Sequence, residues 1–292
     1  MAQSGRFIAL GAFDGLHRAH IAVLEAAAAG GAARGLRPAV LLFAQHPLRW
    51  IAGEAPPLLL RDAERDARLE AMGLEILKRP FEPLRTLPPE VFFERILCGQ
   101  LGAQGLSCGY HYRFGLDAAG DAPLLQRLCA ARGVQLAVIP KMEYDGAPIS
   151  STRIRQALAE GNIEAANAML GRPFGYDYPV EEGDRIGRTL GAPTINQHFP
   201  PGVAVPRYGV YAAQAFVDGR WLPGVTNIGR RPSFASSALR SETHILGFAG
   251  DLYGQRIPVA LLSFLRPERS FSTLNALAQQ IAIDKEHARK AE

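Results

Sequence analysis

His17 and His20 stand three residues apart at the end of the run Gly11-Ala-Phe-Asp-Gly-Leu-His-Arg-Ala-His20. On a helix, residues at i and i+3 share a face, so both imidazoles can serve one ligand. Gly11, Phe13 and Asp14 form the turn ahead of them, where glycine lets backbone close on a phosphate and a helix start offers unpaired N–H groups. Two imidazoles there can hydrogen-bond a triphosphate and stabilise charge as pyrophosphate departs. Two surface histidines would leave the same spacing, and it is the setting between a strand and a helix that favours chemistry. Far downstream, Ile149-Ser-Ser-Thr-Arg-Ile-Arg155 places Ser150, Ser151, Thr152 and Arg153 at the start of a second helix, with Ser151 or Thr152 as N-cap. Hydroxyls, free N–H groups and a guanidinium make an anion site, although an ordinary capped helix with a solvated arginine reads the same way in isolation. Together the two motifs can clamp one triphosphate from two sides.

A third constellation, Gly183-Asp-Arg-Ile-Gly-Arg-Thr-Leu-Gly-Ala-Pro-Thr194-Ile-Asn196, lies in the second half. Gly187 and Arg188 suit a loop folding over phosphates. Thr194 and Asn196 offer hard oxygens two residues apart, on one face of an extended segment, as Mg²⁺ with its waters and phosphates requires. A Gly/Pro turn with a polar edge is the plainer account of this segment by itself.

Two kinds of scaffold must hold these residues. Apolar runs at 7–12, 38–43, 74–77, 106–109 and 134–139 read as strands. They alternate with helical patterns at 17–29 (closed by Gly30 and Gly31), 61–73, 89–98 and 122–132, the mark of a parallel sheet covered on both faces. The first motif falls at the carboxyl end of the first strand, where such sheets bind ligands. The texture changes at Leu170–Pro179, rich in Gly, Pro and Tyr. Beyond it come β-type runs at 209–217, 221–226, 243–248 and 258–265, with Asp218-Gly219 as a hairpin turn. A small barrel is expected, closed by a helix over 272–289 whose Leu274, Leu277 and Ile281 share a face. The expected division is a domain at 1–172 and a second at 173–292.

The 292 residues include 32 basic and 28 acidic ones, and no basic block appears, so nucleic acid is not implied. No apolar run approaches the ~20 residues of a membrane helix. Three cysteines, Cys98, Cys108 and Cys129, without a C-x-x-C spacing fit neither a disulfide framework nor a zinc site, and point to the cytoplasm. Oligomeric state is left open, a homo-oligomer included.

At this point a resemblance enters. GAFDGLHRAH is similar to the G-x-F-D-G-x-H-x-G-H signature of nucleotidyltransferases, and ISSTRIR resembles the second phosphate motif of the bacterial bifunctional riboflavin kinase/FMN adenylyltransferases, or FAD synthetases. Phe43-Ala-Gln-His46-Pro47 resembles their F-x-P-H-P, and Tyr112-Arg113-Phe114-Gly115 with Gly120-Asp121 their F-R-F-G…G-D. Ala19, Gln45 and His111 depart from the pattern. From Gly183 onward, PTIN, Tyr208-Gly-Val-Tyr211, Asn227-Ile-Gly-Arg-Arg-Pro-Ser-Phe234, Glu242-Thr-His-Ile-Leu246, Gly250-Asp-Leu-Tyr-Gly254 and Leu265-Arg-Pro-Glu268 follow the riboflavin kinase domain of the same proteins in order. The resemblance implies a Rossmann-like α/β nucleotidyltransferase domain, then an all-β Greek-key barrel kinase with a C-terminal helix. It implies riboflavin, ATP, FMN and FAD as substrates and products, and Mg²⁺ as cofactor. By the same resemblance Glu242 is the kinase base, and His46, His111, Arg113 and Arg266 are flavin contacts, although Arg266 reads equally as a nucleotide contact or a plain surface residue. One rival keeps the kinase alone, with adenylyl transfer impaired at His111. Another is a non-catalytic flavin- or nucleotide-binding regulator, which would have no need of a base.

Overall fold

The structure is a computed structural model describing residues 5–45, 48–51, 53–182, 194–230 and 239–291. The chain divides into two compact units, Met1–Ser151 and Thr152–Glu292.

In the first unit, strands β1 (Arg6–Leu10), β2 (Arg37–Phe43), β3 (Glu75–Arg79) and β4 (Ala103–Gly109) form a parallel sheet. Two short pairing segments, β5 (Arg113–Phe114) and β6 (Gly120–Asp121), precede its last strand, β7 (Gln135–Ile139), and the sheet order is β3-β2-β1-β4-β7; β8 (Glu143–Tyr144) and β9 (Ala147–Pro148) form a short hairpin beyond it. Side-chain alternation splits β1 between two cores: Ile8 and Leu10 pack with Phe93 and Leu106, while Phe7 and Ala9 pack with Phe13 and Leu24. Helices therefore cover both faces, as the apolar strand runs required.

Helix α1 spans Arg18–Ala32. The sequence placed its end before Gly30 and Gly31, but the helix continues through both. A Cβ on Gly30 would run into the Phe7 ring, and one on Gly31 into the Leu36 carbonyl, so these glycines serve close helix–sheet packing rather than termination. Ser107 on β4 donates to the Val23 carbonyl at 2.8 Å and ties α1 to the sheet. The helix expected over 89–98 is one turn, Pro89–Val91, running into a π-helix at Phe92–Gln100.

In the second unit, β10 (Phe174–Pro179), β11 (Ile195–His198), β12 (Gly209–Val217), β13 (Arg220–Arg230), β14 (Leu239–Ile245) and β15 (Arg256–Arg266) make an antiparallel sheet in the order β10-β15-β12-β13-β14-β11. Its outer members meet: Glu181, just beyond β10, donates its N–H to the Asn196 carbonyl of β11 at 2.8 Å. Buried Gln197 reinforces the seam by donating to the Tyr178 and Ile257 carbonyls at 2.6 and 2.8 Å. The expected barrel thus closes and hides its edges. The β12–β13 turn has Asp218 and Gly219 at φ 50° and 78°, the doubly left-handed geometry of a tight hairpin. A C-terminal helix, Leu274–Lys290, buries Asp284 and Ala288 and half-buries Leu277 and Ile281.

Candidate active sites

β1 lies between β2 and β4, so the chain leaving β1 emerges at the point where the strand order reverses. The loop there is bent hard. Phe13, Gly15 and Leu16 have φ of 53°, 81° and 46°, and a left-handed non-glycine residue costs roughly 1–3 kcal/mol. Two interactions offset that strain. Asp14 is buried, and its Oδ1 accepts the Leu59 N–H at 3.0 Å. The Asp14 carbonyl accepts the Ser151 hydroxyl at 2.9 Å.

These contacts revise two expectations. The Phe13 ring is fully buried in the core, so Phe13 can offer a phosphate only its backbone. Ser151 is the first residue of the helix Ser151–Glu160, and its hydroxyl joins the two phosphate motifs by reaching Asp14. Ser150 precedes it. Thr152 and Arg153 follow in the second unit, and their phosphate role stays with the sequence reading.

His17 caps α1: its Nδ1 accepts the His20 N–H at 3.2 Å, which leaves the imidazole proton on Nε2. The two rings stack with centroids 3.6 Å apart and planes at 14°. Burial, ahead of the nearby charge of His111, lowers His17 to about 4. Burial, and then electrostatic interaction with the His17 and His111 imidazoles, holds His20 well below the usual histidine range. Both are therefore neutral at pH 7 in the free protein, able to donate without repelling each other. The His20 Nδ1 is buried and has no hydrogen-bond partner among the described residues. His111, exposed just after β4 with its ring 4.8 Å from Tyr110, lies within electrostatic reach of both. The fold thus gathers histidines from two separate segments at the switch point. Arg113 is exposed and pairs with Asp121 at 3.8 Å across β5–β6. His46 lies outside the described residues, as do Gly187 and Arg188.

In the barrel, strand register builds the second site. Glu242 of β14 pairs with Asn196 of β11 on one side and Asn227 of β13 on the other. Residues directly opposite on antiparallel strands share a face with side chains ~5 Å apart. The row Asn227, Glu242, Asn196 therefore presents three polar groups together, and Thr194, two residues before Asn196, joins the same face. Ser241 and Thr243 alternate with Glu242 and are buried inside. Glu242 is 18% exposed and held by the Arg240 guanidinium at 3.0 Å. For Mg²⁺, Thr194 and Asn196 would supply neutral oxygens beside the Glu242 carboxylate. This hard-oxygen set fits the cation. Among the described residues no cluster of three or more His, Cys, Asp or Glu is placed to hold a metal.

Arg266, expected at the flavin or on the surface, is bonded to an acid of the C-terminal helix. Its Nε and Nη2 donate to Asp284 at 3.1 and 2.7 Å, and Asp284 is 2% exposed. The pair fastens β15 to the C-terminal helix. The sequence reading missed Leu59, which lies in an apolar stretch without a motif, and Asp284, a lone acid in an amphipathic helix. Asn227 was visible as the first residue of the Asn227–Phe234 run but carried no assigned role.

Fold and sites define a two-part enzyme: a switch-point α/β unit of nucleotidyltransferase type, and a β-barrel with a carboxylate beside hard-oxygen ligands. The FAD synthetase family profile matches residues 1–153, and the riboflavin kinase profile residues 170–292. Bifunctional riboflavin kinase/FMN adenylyltransferases are similar along nearly the whole chain. That of Escherichia coli K12 is 37% identical, covering 99% of this chain and 93% of its own. That of Pseudomonas fluorescens is 36% identical, with 96% and 91% covered, and that of Bacillus subtilis 31%, with 98% and 92% covered. The chain belongs to the bifunctional riboflavin kinase/FMN adenylyltransferase family. A crystal structure described as a macrolide-efflux protein from Streptococcus pneumoniae superposes with TM-score 0.88 at 28% identity, covering 99% of this chain and 95% of that one. Among the described residues no helix is long and apolar enough to cross a membrane.

Proposed function

We propose that this chain phosphorylates riboflavin with ATP to give FMN and ADP, and then adenylylates FMN with a second ATP to give FAD and pyrophosphate. We assign the second reaction to a domain at 1–172 and the first to a domain at 173–292, in keeping with family matches that end at 153 and begin at 170. The observation that carries the kinase assignment is the ladder position of Glu242, directly opposite Asn196. Glu242 accepts the proton of the ribityl hydroxyl as that oxygen attacks the γ-phosphorus. Thr194 and Asn196 would hold Mg²⁺, whose charge offsets that of the phosphates. Gly187 and Arg188 serve the ATP phosphates.

In adenylyl transfer an FMN phosphate oxygen attacks the α-phosphorus of ATP and pyrophosphate leaves. His17 donates from Nε2 and, with His20, steadies the growing negative charge. The backbone of Gly11 to Asp14, with Ser150, Ser151, Thr152 and Arg153, receives the phosphates. His46, His111 and Arg113 serve the flavin nucleotide. We place the enzyme in the cytoplasm, in accord with free Cys98, Cys108 and Cys129. Burial raises the Cys108 and Cys129 thiols to about 11 and 12, so neither is poised as a nucleophile.

The test incubates the full chain with riboflavin, ATP and Mg²⁺ and resolves the three flavins over time. FMN followed by FAD is expected. FMN that accumulates without FAD would leave only the kinase half standing, and no FMN would end the proposal.

A further inference from the structure

Asn227 of β13 is fixed in an orientation that its own strand does not require. Its Nδ2 donates to Glu268 Oε1 at 3.1 Å. That bond sets which way the amide faces, since a flipped amide would turn its oxygen on the carboxylate. The Oδ1 is left buried and, among the described residues, without a donor. Buried acceptors are rarely left unpaired, so this oxygen awaits a donor from a ligand. In the ladder Glu242 separates Asn227 from Asn196, and two strand spacings set the two asparagines about 10 Å apart. Asn196 thus belongs to the cation and phosphate side of Glu242, and Asn227 to the opposite side. The alcohol that Glu242 deprotonates has only one proton to give. The donor to Asn227 must be a different hydroxyl on the same substrate, and a polyol carries one on the adjacent carbon.

We propose that Asn227 is a specificity-determining residue of the kinase site: its Oδ1 accepts a hydrogen bond from the ribityl hydroxyl next to the one phosphorylated, and Glu268 is the positioning residue that holds the amide. The inference rests on the kinase reading above. The full-length chain is assayed with riboflavin and with an analogue lacking that neighbouring hydroxyl, and phosphorylated flavin is measured chromatographically. Asn227→Ala raises the KM for riboflavin about tenfold, the worth of one hydrogen bond, while kcat changes less than about threefold. The same substitution leaves the KM for the deoxy analogue unchanged. Glu268→Ala shifts riboflavin KM in the same direction by less. Equal losses on both substrates, a loss confined to kcat, or an altered Mg²⁺ requirement at unchanged riboflavin KM overturns the proposal. Should Asn227→Ala fail to fold by circular dichroism, the wild-type chain decides: it must prefer riboflavin over the analogue by about tenfold or more in kcat/KM, and equal use refutes the inference. A wild-type chain that makes no FMN refutes the kinase reading instead.

Discussion

Replacing Asp14 separates a structural carboxylate from a catalytic one. Its Oδ1 holds the Leu59 N–H at 3.0 Å in a buried setting, while its neighbours Phe13, Gly15 and Leu16 sit in left-handed backbone. Asp14→Ala removes a charge-assisted hydrogen bond and strands a buried amide, a loss of about 1.5–3 kcal/mol. For a unit of this size that lowers the melting temperature by roughly 3–12 °C. The loop relaxes with it, and displacement of the histidines by about 1 Å costs on the order of 10²-fold in FAD formation from FMN. FMN formation from riboflavin is untouched, because Glu242 and Asn196 lie in the other unit. Asp14→Asn keeps an acceptor oxygen and recovers most of both losses. The direct assay is hydrogen exchange at the Leu59 amide, fast in the alanine variant and protected in wild type and Asp14→Asn, read beside FAD and FMN rates. If Asp14→Asn is as damaged as Asp14→Ala while Leu59 stays protected, the carboxylate acts through its charge at the phosphates and the positioning argument fails.

Other consequences are independent of that loop bond. The depressed His17 and His20 mean that, as pH falls below the ordinary histidine value of about 6.5, the unfolded chain takes up protons that the folded one refuses. The first unit therefore loses stability between pH 6.5 and the His17 value of about 4, by roughly 3 kcal/mol for His17 alone. His17→Asn, which can still cap α1, should flatten that slope in urea melts taken at several pH values; an unchanged slope would show that the burial argument is wrong. Asp284→Ala strands the Arg266 guanidinium and destabilises the barrel unit by about 3–5 kcal/mol, whereas replacing both residues by leucine restores most of the loss. Urea unfolding checks this, and a single variant as stable as wild type would contradict the tie between β15 and the C-terminal helix.

What the sequence disclosed and what it concealed divide along physical lines. Short motifs at strand ends were readable because their chemistry is local: His17 and His20 share a face by spacing alone, and Thr194 and Asn196 by alternation. The parallel sheet was readable from continuous apolar strands such as Arg37–Phe43, and the β12–β13 turn from Asp218-Gly219. Pairings distant in sequence were not readable. Nothing in the stretch around Leu59 advertises that its amide binds Asp14, and nothing in Leu274–Lys290 advertises Asp284 as the partner of Arg266. The place of the Phe13 ring was not readable either, because a glycine-flanked aromatic ring can line a site or fill a core, and only packing decides. The row of Asn227, Glu242 and Asn196 depends on strand register, which a one-residue slip would turn to the other face.

We propose that one chain carries two chemistries on separate units, with Glu242 serving only one. Glu242→Gln tests it most directly when supplied in turn with riboflavin and with FMN, each with ATP and Mg²⁺. FMN formation from riboflavin should slow by on the order of 10²–10⁴, with riboflavin still bound, while FAD forms from added FMN at the wild-type rate. Loss of both reactions, or FMN formation at the wild-type rate, would contradict it.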